Sequence, residues 1–162
     1  SFTGVRIATG VLQGLALGTG HKVVGISTLA AMAQQAYMQN QSVHVTAAID
    51  ARMSEVYFGR YQLEQNVMAL VGIEQVLPPV EAVQILSHCS EIAGVGTGWQ
   101  AYPELGTVEE VEELPDILYP DALFMLPLAK DLIANGYATA VEEIQPVYLR
   151  DKVTWKKLPG KE

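Results

Sequence analysis

The spacing of apolar residues changes along the chain, and each change predicts a different kind of element. Residues 2–18 carry apolar side chains at the helical period, and a turn at Gly18–Gly20 leads to a short apolar run, Lys22–Ile26, that predicts a buried strand. Ser27 is placed as the N-cap of a second helix, which ends near Met38. The first forty residues therefore predict helix, strand and helix.

Alternation with a period of two begins at Val43 and predicts a meander of three antiparallel strands: Val43–Ile49, Glu55–Leu63 and Val67–Val76. The elements predicted after them are a helix from Pro79 to about Cys89, a buried strand Ile92–Val95, a short helix after Trp99, a strand within the acidic residues 109–116, and a helix from Asp121 to Asn135-Gly136. The second part is thus a β-β-β-α-β-α-β-α unit, and the first part matches only the end of such a unit.

The first predicted helix is apolar around most of its circumference. With successive residues about 100° apart, its apolar side chains cover roughly 260° and leave Arg6, Thr9 and Gln13 in one narrow polar stripe. A surface helix usually carries an apolar stripe of about 100° or somewhat more. We therefore expect this helix either to be buried within its own domain or to share its surface between that domain and a partner.

Glycines recur every fourth residue on the same helix, at positions 10, 14 and 18. This spacing strips one face of side chains and lets another backbone approach, which offsets a cost of about 1 kcal/mol for each interior glycine. A membrane dimer motif is disfavoured because the apolar stretch is short and is interrupted by Arg6 and Gln13. The candidate partner-binding residues are Ile7, Gly10, Val11 and Gly14, with Arg6 and Gln13 at the rim.

Composition and charge narrow the function. The chain of 162 residues is 49% hydrophobic, which is typical of a folded globular protein, and it has no run of 18 apolar residues. Its net charge of −8 disfavours nucleic-acid binding by bulk electrostatics. Cys89 is the sole cysteine, so no internal disulfide forms, and this pattern is typical of the cytosol.

The C-terminal end has the opposite charge. Half of the ten Lys and Arg residues lie in the last thirteen positions, with Trp155 among them. Such a tail is either a solvated terminus or a contact for RNA or an acidic partner.

Two loops are candidates for binding. Gly94–Gly98 follows a strand and is expected to be a simple tight turn, since the Lys of a P-loop is absent. Because such a loop can present backbone N–H groups to a phosphate, nucleotide contact at Gly96, Thr97 and Gly98 is the alternative. In the hairpin Asp50–Glu55, Asp50 is expected to bond the turn backbone and Arg52 to pair with a carboxylate. Contact with a partner or RNA is the alternative there.

Catalytic constellations are absent from the sequence pattern. The three histidines are scattered over three elements, whereas a metal site needs clustered ligands. Cys89 adjoins His88, but adjacent helical residues point to different faces, so half-buried packing is expected for the thiol rather than nucleophilic chemistry.

Several motifs in order resemble the bacterial TsaB family, also called YeaZ. The opening Ser1–Arg6 is similar to the second part of the family motif Pro-Gly-Ser-Phe-Thr-Gly-x-Arg. Further matching stretches are Gly14–Gly18, Gly25–Leu29, Asp50-Ala51-Arg52 with Glu55-Val56-Tyr57, Val95–Trp99, Pro146–Arg150 and Trp155–Glu162. The resemblance covers essentially the whole chain.

The resemblance implies a role in making threonylcarbamoyladenosine (t6A) beside the anticodon of tRNA. It implies a non-catalytic paralogue of the transferase TsaD, which pairs with TsaD through helices of its first half, is joined by the ATPase TsaE, and forms a homodimer when alone. No cofactor is expected on this chain alone, and ATP is expected only in the assembled complex. Contact with tRNA is expected to be indirect, with Arg52, Lys156 and Lys157 as weak candidates.

The element order together with the resemblance implies the α/β fold of actin-like ATPases and sugar kinases (ASKHA), which is built from two similar halves. The first half is expected to be incomplete, because the chain starts inside a family motif without Met. Residues 1–41 are then the remainder of the first subdomain, and residues 42–162 are the second subdomain with its basic tail.

Two other functions stay open at this point. One is a glycoprotease-like hydrolase or an ATPase of the same fold. The other is a secreted growth-promoting factor, against which the absence of a visible export signal speaks. A cytoplasmic protein without membrane attachment is the expectation.

Overall fold

A computed structural model describes residues 2–150, apart from the side chain of Phe2. The helices and strands in chain order are α1 (Phe2–Thr19), α2 (Thr28–Asn40), β1 (His44–Arg52), β2 (Glu55–Glu64), β3 (Val67–Leu77), α3 (Pro79–Leu86), β4 (Ile92–Val95), α4 (Gly98–Ala101), β5 (Val111–Glu113) and α5 (Met125–Ala134). Short 3-10 turns lie at Pro103–Thr107, Ala122–Phe124 and Val141–Glu143. Within residues 2–150, no helix is both long and apolar enough to cross a membrane.

The five strands form one mixed sheet in the order β3-β2-β1-β4-β5. The meander β1-β2-β3 is antiparallel, whereas β4 and β5 run parallel to β1. Parallel neighbours need crossover connections, and α3 and α4 supply them. The predicted β-β-β-α-β-α-β-α unit is therefore confirmed from β1 to α5, including the strand in the acidic segment.

Helices cover both faces of the sheet. On one face, α2 buries Leu29, Met32 and Ala36 against β1 and its neighbours. On the other face, α3 packs with Trp99 and Phe58 in a second cluster. The α2 packing starts where the sequence predicts it, because the Ser27 hydroxyl accepts a hydrogen bond from the Leu29 N–H at 3.2 Å. The predicted subdomain boundary at 41/42 stays a prediction, although α2 rests directly on the sheet.

The strand predicted at Lys22–Ile26 is wrong. Of this segment only Val23 pairs, through an isolated antiparallel bridge to Thr139 with N–H···O distances of 3.0 and 2.9 Å. A strand requires neighbours over several residues, and a run of apolar side chains cannot specify them. The segment is instead a link between α1 and α2 that is anchored at one residue.

The hairpin β1-β2 is longer than predicted. Its two-residue turn, Met53-Ser54, has φ values of 58° and 59°, as a type I′ turn requires, and Arg52 before it also lies in the left-handed region at 61°. The strands therefore pair up to the turn itself, with a register shift between Asp50 and Arg52. This hairpin lies at the same edge as the carboxyl end of the parallel strand β4.

Candidate functional site

Helix α1 presents its polar stripe to the chain and its apolar arc to solvent. Thr9 and Gln13 are half-buried and Ala16 is buried, whereas Ile7 and Val11 are 62% and 59% exposed. Ordinary amphipathic helices have the reverse orientation. The outer face of α1, defined here as Ile7, Val11, Gly14 and Leu15, has no cover within residues 2–150. Burial of α1 within its own domain is therefore not seen among these residues, and both interpretations of the helix stay predictions.

The glycines of α1 are not needed for packing within the described chain. A Cβ built on Gly10, Gly14 or Gly18 would meet no atom within 4 Å. Each of these residues costs helix stability relative to Ala, so their presence calls for another explanation. The close approach of a backbone from outside residues 2–150 supplies one.

The support beneath α1 comes from the last described segment, residues 144–150, named here the strap. Ala16 packs on Val23, Val141 and Ile144 at the C-terminal end of the helix. Near its N-terminal end, Arg6 Nε donates a hydrogen bond to the Tyr148 hydroxyl at 3.1 Å. Between these two points lies a groove of about 400 Å³.

The candidate partner-binding residues divide into two groups. Ile7, Val11 and Gly14 lie on the exposed outer face, and Arg6, Gly10 and Gln13 border the groove opposite the strap. Gly10 was predicted at the centre of the contact face together with Ile7, Val11 and Gly14, but it borders the groove. Their role in binding stays a prediction.

The glycine-rich loop after β4 packs tightly within the chain. Gly96 has φ 105°, and a Cβ there would lie 2.3 Å from the Ala48 carbonyl oxygen. The Gly96 N–H already donates to the Ile117 carbonyl at 2.8 Å, and the Thr97 hydroxyl accepts from the Asp50 N–H at 3.1 Å. These contacts account for the glycines as a tight turn. Nucleotide contact at Gly96, Thr97 and Gly98 stays a prediction.

Asp50 connects this loop to the hairpin. Its carboxylate accepts hydrogen bonds from the Arg52 N–H at 2.8 Å and from the Tyr102 hydroxyl at 2.9 Å. The predicted bond of Asp50 to the turn backbone is therefore confirmed. Burial and the hydrogen bond to Asp50 raise the pKa of Tyr102 above its ordinary value, so Tyr102 stays a neutral donor.

The predicted pairing of Arg52 with a carboxylate is wrong for the described residues. Glu55 forms its ion pair with Arg150, which also donates to the Ala51 carbonyl at 3.0 Å and lies 5.9 Å from the centre of the Tyr57 ring. Arg52 is displaced because its left-handed backbone, at φ 61°, places it on the exposed turn. Arg150 was not predicted in this role, and Glu55 is 95 positions away in sequence.

Removal of the Arg150 guanidinium is expected to weaken the fold locally. Arg150→Met keeps the aliphatic stem but leaves Glu55 and the Ala51 carbonyl without their donor, which should lower the free energy of unfolding by about 1–2 kcal/mol. Urea unfolding followed by circular dichroism measures the change. Arg52→Met, the control at the exposed turn, should change it by less than about 0.5 kcal/mol. Equal effects of the two substitutions would contradict the assigned role of Arg150.

Other candidate chemistry finds little support in the described part of the chain. No group of three or more His, Cys, Asp or Glu side chains in residues 2–150 is arranged to hold a metal ion. The Cys89 thiol is half-buried, as predicted, and accepts a hydrogen bond from Arg60 Nη1 at 3.2 Å. Lys156 and Lys157 lie outside the described residues.

Comparisons with known proteins identify the family. The family model for TsaD, tRNA N6-adenosine threonylcarbamoyltransferase, matches residues 1–155. The tRNA threonylcarbamoyladenosine biosynthesis protein TsaB of Escherichia coli K12 is 50% identical over 167 aligned positions, which span all of this chain and 71% of the relative. TsaB of Haemophilus influenzae is 43% identical over the whole chain and 71% of its own length.

Comparison with solved structures identifies the same family. A Pseudomonas aeruginosa protein described as similar to peptidase YEAZ superposes with a TM-score of 0.83 at 45% identity, over 93% of this chain and 69% of the other. YeaZ from P. aeruginosa superposes with a TM-score of 0.77 at 41% identity, over 91% and 68%. The fold is accordingly the predicted actin-like (ASKHA) α/β fold, while its division into two similar halves stays a prediction. The chain belongs to the TsaB (YeaZ) family and shares the domain of the transferase TsaD.

Proposed function

We propose that this chain is a non-catalytic scaffold subunit of the assembly that makes threonylcarbamoyladenosine in tRNA. The observation that carries the proposal is the inverted orientation of α1, whose apolar outer face points to solvent. Exposed apolar patches of this kind mark interaction sites in soluble proteins. The E. coli and H. influenzae relatives are named as biosynthesis proteins for the same modified nucleoside.

The partner that fits best is a TsaD-like subunit. In the absence of that subunit, a second copy of this chain is proposed to bind the same face as a homodimer. The TsaD family model matches residues 1–155, so a TsaD-like protein is expected to carry a corresponding helix. Two such helices with glycines at a spacing of four can pack backbone to backbone. A TsaE-like ATPase is proposed as the third member of the assembly.

The chain is proposed to contact tRNA only indirectly. Its net charge of −8 repels the phosphate backbone, so the partner must supply most of the positive surface. We further propose that the chain alone binds no cofactor, that ATP binds the assembled complex, and that the protein acts in the cytoplasm beside its tRNA substrate.

The double substitution Gly10→Leu and Gly14→Leu tests the proposal. Gly14 lies on the outer face, so a leucine there would hold an approaching backbone several ångströms away, whereas a leucine at position 10 would enter the groove beside that face. Binding to the TsaD-like subunit should weaken at least about tenfold, or about 1.4 kcal/mol. Light scattering of the chain alone and titration with the TsaD-like subunit measure the loss. Reconstituted t6A formation should fall in parallel.

Folding provides the internal control for this experiment. Both glycines are in a helix with open space around them, so leucine should increase helix stability by up to about 1 kcal/mol per site. Loss of binding therefore cannot reflect unfolding. Undiminished association of the double variant would contradict the proposed docking face. Peptidase or ATPase activity of the isolated metal-free chain would favour the hydrolase alternative.

A further inference from the structure

We infer that the hydrogen bond between Arg6 and Tyr148 positions α1 for partner binding, with Tyr148 as a positioning residue that acts through the helix. This inference rests on the proposed function of the outer face. It adds that the strap, residues 144–150, determines how that face is presented.

The contacts of α1 are concentrated near its two ends. The C-terminal anchor is apolar and includes the buried Ala16 with Val141 and Ile144. The N-terminal contacts include the hydrogen bond of 3.1 Å from Arg6 to Tyr148. Ten residues separate Arg6 from Ala16, which corresponds to about 15 Å of helix. The helix therefore spans the groove as a rod supported on both sides of it.

The groove makes the N-terminal contact important. Thr9 and Gln13 of α1 face Gln145 and Pro146 of the strap across a volume of about 400 Å³, rather than packing directly on an apolar core. Apolar burial in this part of α1 is small, since the side chains at positions 5, 7, 11 and 12 are exposed. A directional hydrogen bond then has a large share in defining the direction of the helix axis.

The strap is itself fixed, so Tyr148 is a suitable support. Ile144 contributes to the apolar anchor, Leu149 packs against the main core, and Arg150 is bound to the Ala51 carbonyl and to Glu55. Tyr148 lies between these fixed points. Its hydroxyl therefore holds the first turns of α1 at a fixed position relative to the sheet.

Tyr148→Phe removes the hydroxyl and keeps the ring. In the free chain, hydrogen exchange should become faster for the α1 amides at residues 5–12 and should stay unchanged at residues 15–19, next to the apolar anchor. A helix that samples several directions binds through only a fraction of its population, so kon for the TsaD-like subunit should fall about 5- to 10-fold. The dissociation rate koff should stay within about twofold.

The split between kon and koff separates positioning from direct contact. A Tyr148 hydroxyl that touched the partner would raise koff on removal and leave exchange in the free chain unaltered, and this result would overturn the inference. Tyr119→Phe, at an exposed tyrosine elsewhere on the chain, is the matched control and should change neither quantity.

The second variant tests the partner of the hydroxyl. In an Arg6→Met background, which lacks the donor, Tyr148→Phe should have a clearly smaller effect on exchange and kon than in the unsubstituted chain, because the hydrogen bond that both substitutions remove is already absent. A full additional effect would overturn the inference, as would unchanged exchange or unchanged kon in Tyr148→Phe alone. Failure of the unsubstituted chain to bind would instead overturn the proposed function, so the two failures are distinguishable.

Discussion

Replacing Val11 by Asp is expected to raise the Kd for the TsaD-like subunit at least about 100-fold, which corresponds to about 2.7 kcal/mol. Val11 lies at the centre of the outer face of α1 and is 59% exposed in the chain alone. In a complex through that face, the introduced carboxylate would lose its water without gaining a partner, and an unpaired buried charge costs several kcal/mol.

The same substitution should have little effect on the fold. Val11 makes few contacts within the described chain, and Val and Asp have similar helix propensities. The free energy of unfolding in urea should therefore change by less than about 0.5 kcal/mol. A large effect on binding together with a small effect on stability is the expected signature of a docking residue.

Val80→Asp provides a matched control. Val80 is 60% exposed and lies in the first turn of α3, on another part of the molecule. The two variants share the residue change, the exposure and the net charge, so only the position differs. Val80→Asp should bind within about twofold of the unsubstituted chain, and equal losses in both variants would mean that charge, rather than the face of α1, governs association.

Local patterns predicted most of the fold because they reflect local physics. The Ser27 cap, the meander β1-β2-β3 and the strand β4 all follow from periodicity and turn chemistry within short windows. The strand predicted at Lys22–Ile26 is wrong because strand formation depends on distant partners. Only Thr139 pairs there, more than a hundred residues away.

The candidate site depends even more on distant contacts. Periodicity predicted that α1 has an oversized apolar arc, but the direction of that arc depends on the strap, which meets Arg6 142 positions later in sequence. In the same way, the sequence did not predict the partner of Glu55, because Arg150 reaches Glu55 only after the chain returns to the hairpin. Composition and spacing identify such groups and do not pair them.

Gly96→Ala is expected to reduce the free energy of unfolding by about 3–5 kcal/mol, a large part of the stability of a typical domain. Two causes act together. The backbone at φ 105° is unfavourable for any residue with a Cβ, and the added carbon would lie 2.3 Å from the Ala48 carbonyl oxygen. That oxygen belongs to the central strand β1, so it cannot move without disturbing the sheet.

The same substitution at two other glycines separates the two causes. Gly136→Ala has the positive φ of 82° with open space around it, so backbone strain alone should cost about 1 kcal/mol. Gly14→Ala lies in a helix with open space and should stabilise the chain by up to about 1 kcal/mol. From the most to the least stable, the order should therefore be Gly14→Ala, the unsubstituted chain, Gly136→Ala and Gly96→Ala.

Thermal and urea unfolding of the four proteins measure this order. A Gly96→Ala chain as stable as Gly136→Ala would show that the loop can move away from β1 to accommodate the added Cβ. The result bears on function, because a nucleotide loop and a packed turn both use glycine. A phosphate site needs glycine for the ligand to approach, and its loss impairs ligand binding first. A turn pressed against β1 needs glycine in the absence of any ligand. A large loss of stability in the ligand-free chain would therefore show that Gly96 is needed for packing. The outer face of α1 would then be the better-supported functional surface.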